Sequence, residues 1–212
     1  LNLLDQALDD FRIWNFLGLS YLRQKKYDLA LKAFLEGIEL CSYKTNLLNN
    51  LSLVYSEQGL LIEALECLEN SLKIKNNQFI VHFRLGNLHY RSDDHVRAVD
   101  SYLKAIKLEP HHYKVNLNLS ILYKETGDIA KALDYCEKAK KYKNTHGLIH
   151  RHMASITRYN NSDDIHINEM KNLLQDKEIS LTDKMEIHFG LSKALEDCGD
   201  FNLSFKHLDE AN

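Results

Sequence analysis

Three histidines in the second half of the chain, His146, His150 and His152, have the residue type and spacing that metal chemistry needs. On a helix, His146 and His150 would share one face, and such a pair can bind zinc. No carboxylate or thiol at a matching spacing completes a set of ligands. The three residues are therefore interpreted as surface histidines, and no metal site is predicted.

Motifs for catalysis are weak or missing. Ser101 and Lys104 match the pattern Ser-x-x-Lys, but the Ser-Asp-Asn and Lys-Thr-Gly partners of that motif do not occur in the sequence. Glycine-rich phosphate loops and the HExxH and GxSxG motifs are also missing from it. We therefore expect no catalytic residue, no cofactor and no enzymatic activity in this chain itself.

The composition fits a soluble, mostly helical protein. The 212 residues include only 1 Pro and 8 Gly, and so few breakers favour helices joined by short turns. A formal net charge of -3 gives no general attraction to nucleic acid or to anionic membranes, and neither is an expected partner. The four scattered cysteines fit a reducing compartment, and a cytoplasmic location is predicted.

A spacing of 34 residues organises these elements. The segment from Trp14 to Phe34 carries the pattern W-x2-L-G-x2-Y followed by A-x3-F, and it closely resembles a tetratricopeptide repeat (TPR). The pattern returns three more times without insertion. It keeps small residues at two places where the helices of one repeat should meet, namely Gly18, Ser52, Gly86 and Ser120 on the first helix and Ala30, Ala64, Ala98 and Ala132 on the second.

The resemblance implies an all-α fold, a right-handed superhelical solenoid of about six helix–turn–helix repeats. We expect a leftover or capping helix at 1–10, four regular repeats at 11–146, a divergent fifth repeat at 147–184 and a sixth at 185–212. Gly59 and Gly127 are predicted to adopt the left-handed conformation that ends a helix. Asp28 and Asp128 are predicted to cap the helices that follow them.

The resemblance also implies a concave groove lined by the first helix of each repeat, in which a peptide or protein ligand binds. The side chains predicted to line it are Asn49, Asn50, Phe83, Arg84, Asn87, Arg91, Asn118 and Lys124. Asparagine amides can bind an extended peptide backbone, and arginine can bind a carboxylate or phosphate through two hydrogen bonds. The cations of TPR proteins that hold chaperone C-termini are not matched here, so that clamp is not expected.

The last third of the chain resembles a second group, the TPR region of bacterial TPR-containing sulfotransferases. The resemblance lies in segments such as "RHMASIT", "DDIHI", "IHFGLSKALEDCGDF" and the final "AN" at Asn212. It implies that the chain lies within a longer protein and leads into a missing catalytic domain, which would use 3'-phosphoadenylyl sulfate.

We therefore predict a protein–protein interaction scaffold that recruits substrate for a sulfotransferase-like enzyme. Two alternatives stay open at this point. One is the TPR arm of a protein glycosyltransferase, and the other is a stand-alone TPR adaptor.

Overall fold

The computed structural model describes residues 10–212, and within this range the chain forms twelve helices and no strand. The all-α class predicted from the 34-residue spacing is thus confirmed. The capping helix expected at 1–10 falls, apart from Asp10, outside the described residues. The helices are α1 Phe11–Arg23, α2 Tyr27–Leu40, α3 Thr45–Glu57, α4 Leu61–Ile74, α5 Phe79–Arg91, α6 His95–Leu108, α7 Tyr113–Glu125, α8 Ile129–Tyr142, α9 Gly147–Ile156, α10 Ile165–Gln175, α11 Leu181–Asp197 and α12 Phe201–Glu210.

Aspartates begin several of these helices. Asp94 accepts a hydrogen bond from the backbone N of Arg97 at 3.0 Å, and Asp128 accepts one from Lys131 at 3.1 Å. The cap predicted at Asp128 is therefore confirmed. The cap predicted at Asp28 is wrong, because α2 begins at Tyr27 and its N-cap residue is Lys26. Asp28 thus lies within the first turn, where its negative charge interacts favourably with the helix dipole.

The turn inside each regular helix pair contains one residue with a left-handed backbone. These residues recur every 34 positions as Lys25 (φ 56), Gly59 (φ 79), Asp93 (φ 59) and Gly127 (φ 84). The two glycines confirm the prediction. Lys25 and Asp93 adopt the same left-handed conformation, although for a residue with a side chain this conformation costs about 1–2 kcal/mol.

The helices of each regular pair pack through the predicted small residues. Ala30, Ala64, Ala98 and Ala132 are each 0% exposed, and Gly18, Ser52, Gly86 and Ser120 are buried opposite them. Small side chains at both places let the two helix axes approach closely, and a larger one would overpack the contact.

The chain divides into two compact units between Glu109 and Pro110. The first unit contains α1 to α6, and its core is built around Phe34, Leu47 and Val54 and around Leu68 and Val81. Within the part of this chain that the structure describes, no helix is both long enough and apolar enough to cross a membrane.

The second unit contains α7 to α12 and departs from the regular pattern after α8. Helix α9 packs mainly on α11, where the backbone N of Gly147 donates to Asp183 Oδ1 at 2.9 Å. Helix α10 joins α11 through a core that includes Ile167, Met170 and Ile187. Because α11 begins at Leu181, it runs across position 185, where the sixth repeat was predicted to start. The division into six repeats stays a prediction.

Candidate functional site

A chain of polar side chains crosses the first helices of the three repeats in the first unit. Asn50 Nδ2 on α3 donates to Asn15 Oδ1 on α1 at 2.6 Å. Arg84 on α5 donates from one terminal nitrogen to Asn50 Oδ1 at 3.4 Å and from the other to the backbone O of Asn49. We call Asn15, Asn50 and Arg84 the polar row.

Arg84 carries the charge of the polar row. Burial lowers the pKa of its guanidinium to about 10, so the group stays protonated at neutral pH. No carboxylate within residues 10–212 forms an ion pair with it. Two of its five N–H groups are used by Asn49 and Asn50, so further donors remain for an anionic ligand.

The remaining predicted residues of the first unit lie on α5 near Arg84. Arg91 donates to Ser56 Oγ at 2.5 Å and to the backbone O of Ser56 at 3.2 Å. Asn87 Oδ1 accepts from the Tyr102 hydroxyl at 2.6 Å, and the half-buried ring of Phe83 stacks 6.0 Å from Phe79. Both arginines therefore reach back from α5 to α3.

Asn49 is placed differently from the prediction. Its side chain is 4% exposed, and its Nδ2 donates to Gln78 Oε1 at 3.2 Å between α3 and the start of α5. An amide enclosed in this packing does not face a ligand, so Asn49 is removed from the candidate surface. Asn15 and Ser56, which were not predicted, take part instead through their bonds to Asn50 and Arg91. Each stands 35 residues before its partner, one step off the 34-residue spacing.

The two predicted residues of the second unit lie on α7. Lys124 Nζ donates to Ser155 Oγ on α9 at 2.9 Å, which repeats the pattern of a cation reaching the first helix of a neighbouring repeat. Asn118 is half-buried on the same helix. Their role in ligand binding stays a prediction.

The histidines require a correction. His150 is 1% exposed and His152 is 9% exposed, so neither is the surface residue that the sequence was taken to indicate. His152 Nε2 lies 2.9 Å from Ser120 Oγ, and His150 Nδ1 lies 3.0 Å from His166 Nε2. Polar partners deep in the second unit, rather than water, satisfy these rings.

The described residues offer little for covalent chemistry. Burial raises the pKa of the Cys67 thiol to about 11 and that of Cys136 to about 12, which keeps both as unreactive thiols at neutral pH. Within residues 10–212, no three His, Cys, Asp or Glu side chains are grouped so as to hold a metal ion. The geometry of this range supports reversible binding through hydrogen bonds and charge.

Comparison with known families agrees with the observed helix pairs. Three family models described as tetratricopeptide repeat match residues 9–77, 79–112 and 113–146. No curated protein matches the chain significantly.

Solved structures with a similar fold include several of MamA. A crystal structure of MamA superposes with a TM-score of 0.59 at 17% identity, covering 95% of this chain and 89% of that one. The fragment "MamA 41-end from Desulfovibrio magneticus RS-1" gives a TM-score of 0.66 at 14% identity, covering 79% of this chain and 94% of that one. At such low identity the likeness concerns the fold alone.

Proposed function

The chain belongs to the tetratricopeptide repeat proteins, and from this premise we propose that it is an interaction scaffold whose first unit binds an acidic segment of a protein partner. The segment lies across the polar row and is anchored at Arg84. TPR proteins bind protein partners on such arrays, and the polar row extends over three first helices in succession. The observation that carries the proposal is the charge of Arg84, which no carboxylate of residues 10–212 neutralises.

Energetics favour a carboxylate as the ligand of Arg84. Partial burial costs the guanidinium part of its hydration, and its neutral partners, Asn49 O and Asn50 Oδ1, compensate only in part. A ligand carboxylate would accept from the remaining N–H groups and neutralise the charge, in the geometry that makes Arg–carboxylate pairs strong. Arg91, held against Ser56, places a second positive charge on the same helix.

A direct test uses two labelled ten-residue peptides, one of alternating Ala and Glu and one of alternating Ala and Gln, in a fluorescence anisotropy titration. We expect the Glu peptide to bind more tightly and its affinity to fall as salt is raised. The substitution Arg84→Gln removes the charge but keeps an N–H donor for Asn49. It should weaken Glu-peptide binding about tenfold, which corresponds to the ~1.4 kcal/mol of one charged hydrogen bond.

The matched control is Arg97→Gln. Arg97 belongs to the same unit, but it is exposed on α6 and already paired with Asp94 at 2.5 Å. Its loss should leave binding unchanged. Equal affinity for the two peptides, or an Arg84→Gln protein that binds as the wild type does, would refute the proposal. Thermal unfolding of both variants checks that the fold is retained.

A narrower proposal rests on the sequence resemblance in the last third of the chain. It makes this scaffold the recruiting region of a larger sulfotransferase-like protein, with a cytoplasmic location. The residues that favour it are the matches from His152 to Asn212. The test supplies labelled 3'-phosphoadenylyl sulfate and a mixture of acceptor peptides to the full-length gene product and to this chain alone. Label transfer by the full-length product only is the expected result, and transfer by neither would reject the proposal.

A further inference from the structure

Four groups in the second unit form one continuous line of hydrogen bonds, which we call the histidine relay. The Tyr159 hydroxyl lies 2.5 Å from His166 Nδ1, and His166 Nε2 lies 3.0 Å from His150 Nδ1. His150 Nε2 lies 2.5 Å from the backbone O of Asn144. The three side chains are 1%, 8% and 1% exposed in that order, so bulk water does not take part.

The donor and acceptor of each hydrogen bond in the relay follow from the carbonyl of Asn144 at its end. Because the Asn144 carbonyl can only accept, His150 must carry its hydrogen on Nε2. A neutral His150 then accepts at Nδ1, which requires His166 to donate from Nε2. His166 therefore accepts at Nδ1, and the Tyr159 hydroxyl donates to it. All donors and acceptors between the four groups are satisfied only while both imidazoles are neutral.

The relay connects α10 to α9 through polar groups, while the Lys140–Glu169 ion pair connects α10 to α8. Asn144 lies in the turn before α9, His150 on α9, Tyr159 in the α9–α10 segment and His166 in the first turn of α10. The backbone N of Tyr159 also donates to Asp197 Oδ2 on α11 at 3.2 Å. The relay thus fixes α10 against α9 through hydrogen bonds, while the apolar core joins α10 mainly to α11 and includes Ala154 of α9.

We propose that the histidine relay is a pH-sensitive latch, which holds α10 against α9 at neutral pH and releases it when the imidazoles take up protons. A proton added to His150 Nδ1 would face the Nε2–H of His166, donor against donor. A proton added to His166 Nδ1 would face the Tyr159 hydroxyl, which would have to turn its hydrogen into a buried space. Either proton breaks the line of bonds, and an unsatisfied buried donor is costly.

The charges around the relay offset an added proton only in part. Helix α8 contributes Lys140 and Glu137, α10 contributes Glu169, and the helix start contributes Asp164. Lys140 binds both Glu169 at 2.9 Å and Glu137 at 3.5 Å, so its one positive charge partly compensates these two carboxylates and opposes a second positive charge on the rings. On the α11 side, Lys193 lies over the Tyr159 ring and pairs with Asp197 at 2.5 Å. Asp164 caps α10 through the backbone N of His166 at 2.8 Å.

The direction of the pH dependence of the latch follows from the pKa shifts of its two imidazoles. Burial, followed by the proximity of His150, lowers the pKa of His166 to about 4, and burial lowers the pKa of His150 as well. The unfolded or released rings titrate near ~6.5. The released form therefore binds more protons than the closed form as pH falls below ~6.5, and the closed form is fully favoured only above that value.

Release of α10 would also change the surface of the second unit. Helices α8 and α10 form the two walls of a cleft of about 660 Å³, with His150 at its side and charged residues such as Lys141 and Asp176 on its rim. Any partner held in this cleft would bind in a pH-dependent way.

The test is amide hydrogen exchange of the intact chain at pH 7.5 and pH 5.0, corrected for the intrinsic rates. For His166 alone, the shift from ~6.5 to about 4 predicts about a 30-fold loss of protection in α10 at the lower pH. The first unit serves as the internal reference through peptides from α1 to α4. A non-titrating relay is provided by His150→Gln with His166→Gln, since each amide can both donate and accept as the neutral imidazole does.

The double variant should keep most of its α10 protection at pH 5.0, while the control His111→Gln, at an exposed position, should behave as the wild type does. An equal loss of protection in the double variant and the wild type would overturn the proposal. If the double variant does not fold, nitrogen NMR of the wild-type imidazoles at pH 8 decides the question. The relay requires the Nε2–H tautomer at both His150 and His166, and the Nδ1–H tautomer at either would overturn it.

Discussion

Gly18 lies directly beneath the ring of Phe34, so that a Cβ at residue 18 would come within 2.5 Å of two ring atoms. The same relation holds two repeats later, where a Cβ on Gly86 would lie 2.5 Å from the ring of Tyr102. In the second and fourth repeats the small residue is serine, and the residue 16 positions later is the non-aromatic Leu68 or Cys136. The size of one residue is thus matched to that of its partner on the next helix.

Substitution of Gly18 by alanine should lower the free energy of unfolding by up to about 2 kcal/mol. The overpacking cost of ~1–3 kcal/mol is reduced by the ~1 kcal/mol that alanine gains over glycine in a helix, which leaves a net loss of ~0–2 kcal/mol. Urea unfolding monitored by Trp14 fluorescence measures this loss of stability in the first unit.

The size match is tested by combining Gly18→Ala with Phe34→Leu, which approximates the Ser52–Leu68 pair. We expect the double variant to be more stable than the sum of the two single effects predicts, by at least ~0.5 kcal/mol. Strict additivity would show that the ring and the glycine are not coupled.

Gly147→Ala should cost the second unit at least ~2 kcal/mol, because a Cβ there would collide with the backbone carbonyl of Asp183, which cannot rotate away. Gly127→Ala is the matched control. That glycine has φ +84 and open space around it, so only the left-handed backbone penalty of ~1–2 kcal/mol applies. Circular dichroism melts should rank Gly147→Ala as the more damaging change, and the opposite order would contradict the close α9–α11 approach.

Ser120→Ala should destabilise the second unit by ~1–3 kcal/mol. Ser120 Oγ donates its only hydrogen to the backbone O of Ala132 at 2.5 Å, so His152 must donate from Nε2 to the same oxygen. Loss of the hydroxyl leaves that buried N–H without a partner. In urea unfolding, the added substitution His152→Leu should recover part of the loss, and no recovery would show that the His152 bond is not the cause.

His152 also makes stability depend on pH. Burial, followed by the charge of Lys124, lowers its pKa in the folded chain to about 4. The unfolded chain therefore binds the extra proton first as pH falls below ~6.5, and His152 alone should cost the folded state roughly 2 kcal/mol at pH 5 relative to pH 7.5. The variant His152→Gln, compared with wild type by urea unfolding at both pH values, should show a correspondingly smaller loss.

The cysteines should react with an aromatic disulfide reagent in two phases at pH 8. Cys198 is partly exposed, whereas Cys41, Cys67 and Cys136 are 2%, 8% and 0% exposed. One thiol per chain should therefore react quickly and three only as fast as the protein opens. Cys198→Ser should remove the fast phase, and a fast phase that persists in this variant would place a second thiol at the surface.

The 34-residue spacing was sufficient to predict the helix pairs, because Ala30, Ala64, Ala98 and Ala132 mark the same packing contact four times. It was not sufficient to assign each side chain to a face. Asn49 and Asn50 are neighbours, yet one is enclosed and the other joins the polar row, since one residue corresponds to about 100° around a helix. The histidine relay could not be predicted from the sequence, because His150, Tyr159 and His166 lie beyond the end of the regular 34-residue spacing.

The size match between residues 16 positions apart has a consequence for the history of the sequence. A lineage that acquires a side chain at position 18 or 86 loses stability unless the aromatic partner shrinks as well. Descendants should therefore exchange the two residues together, glycine with a ring or serine with a smaller group. Statistical covariation among relatives should appear at a separation of 16, repeated with a period of 34, and it should be strongest inside each helix pair.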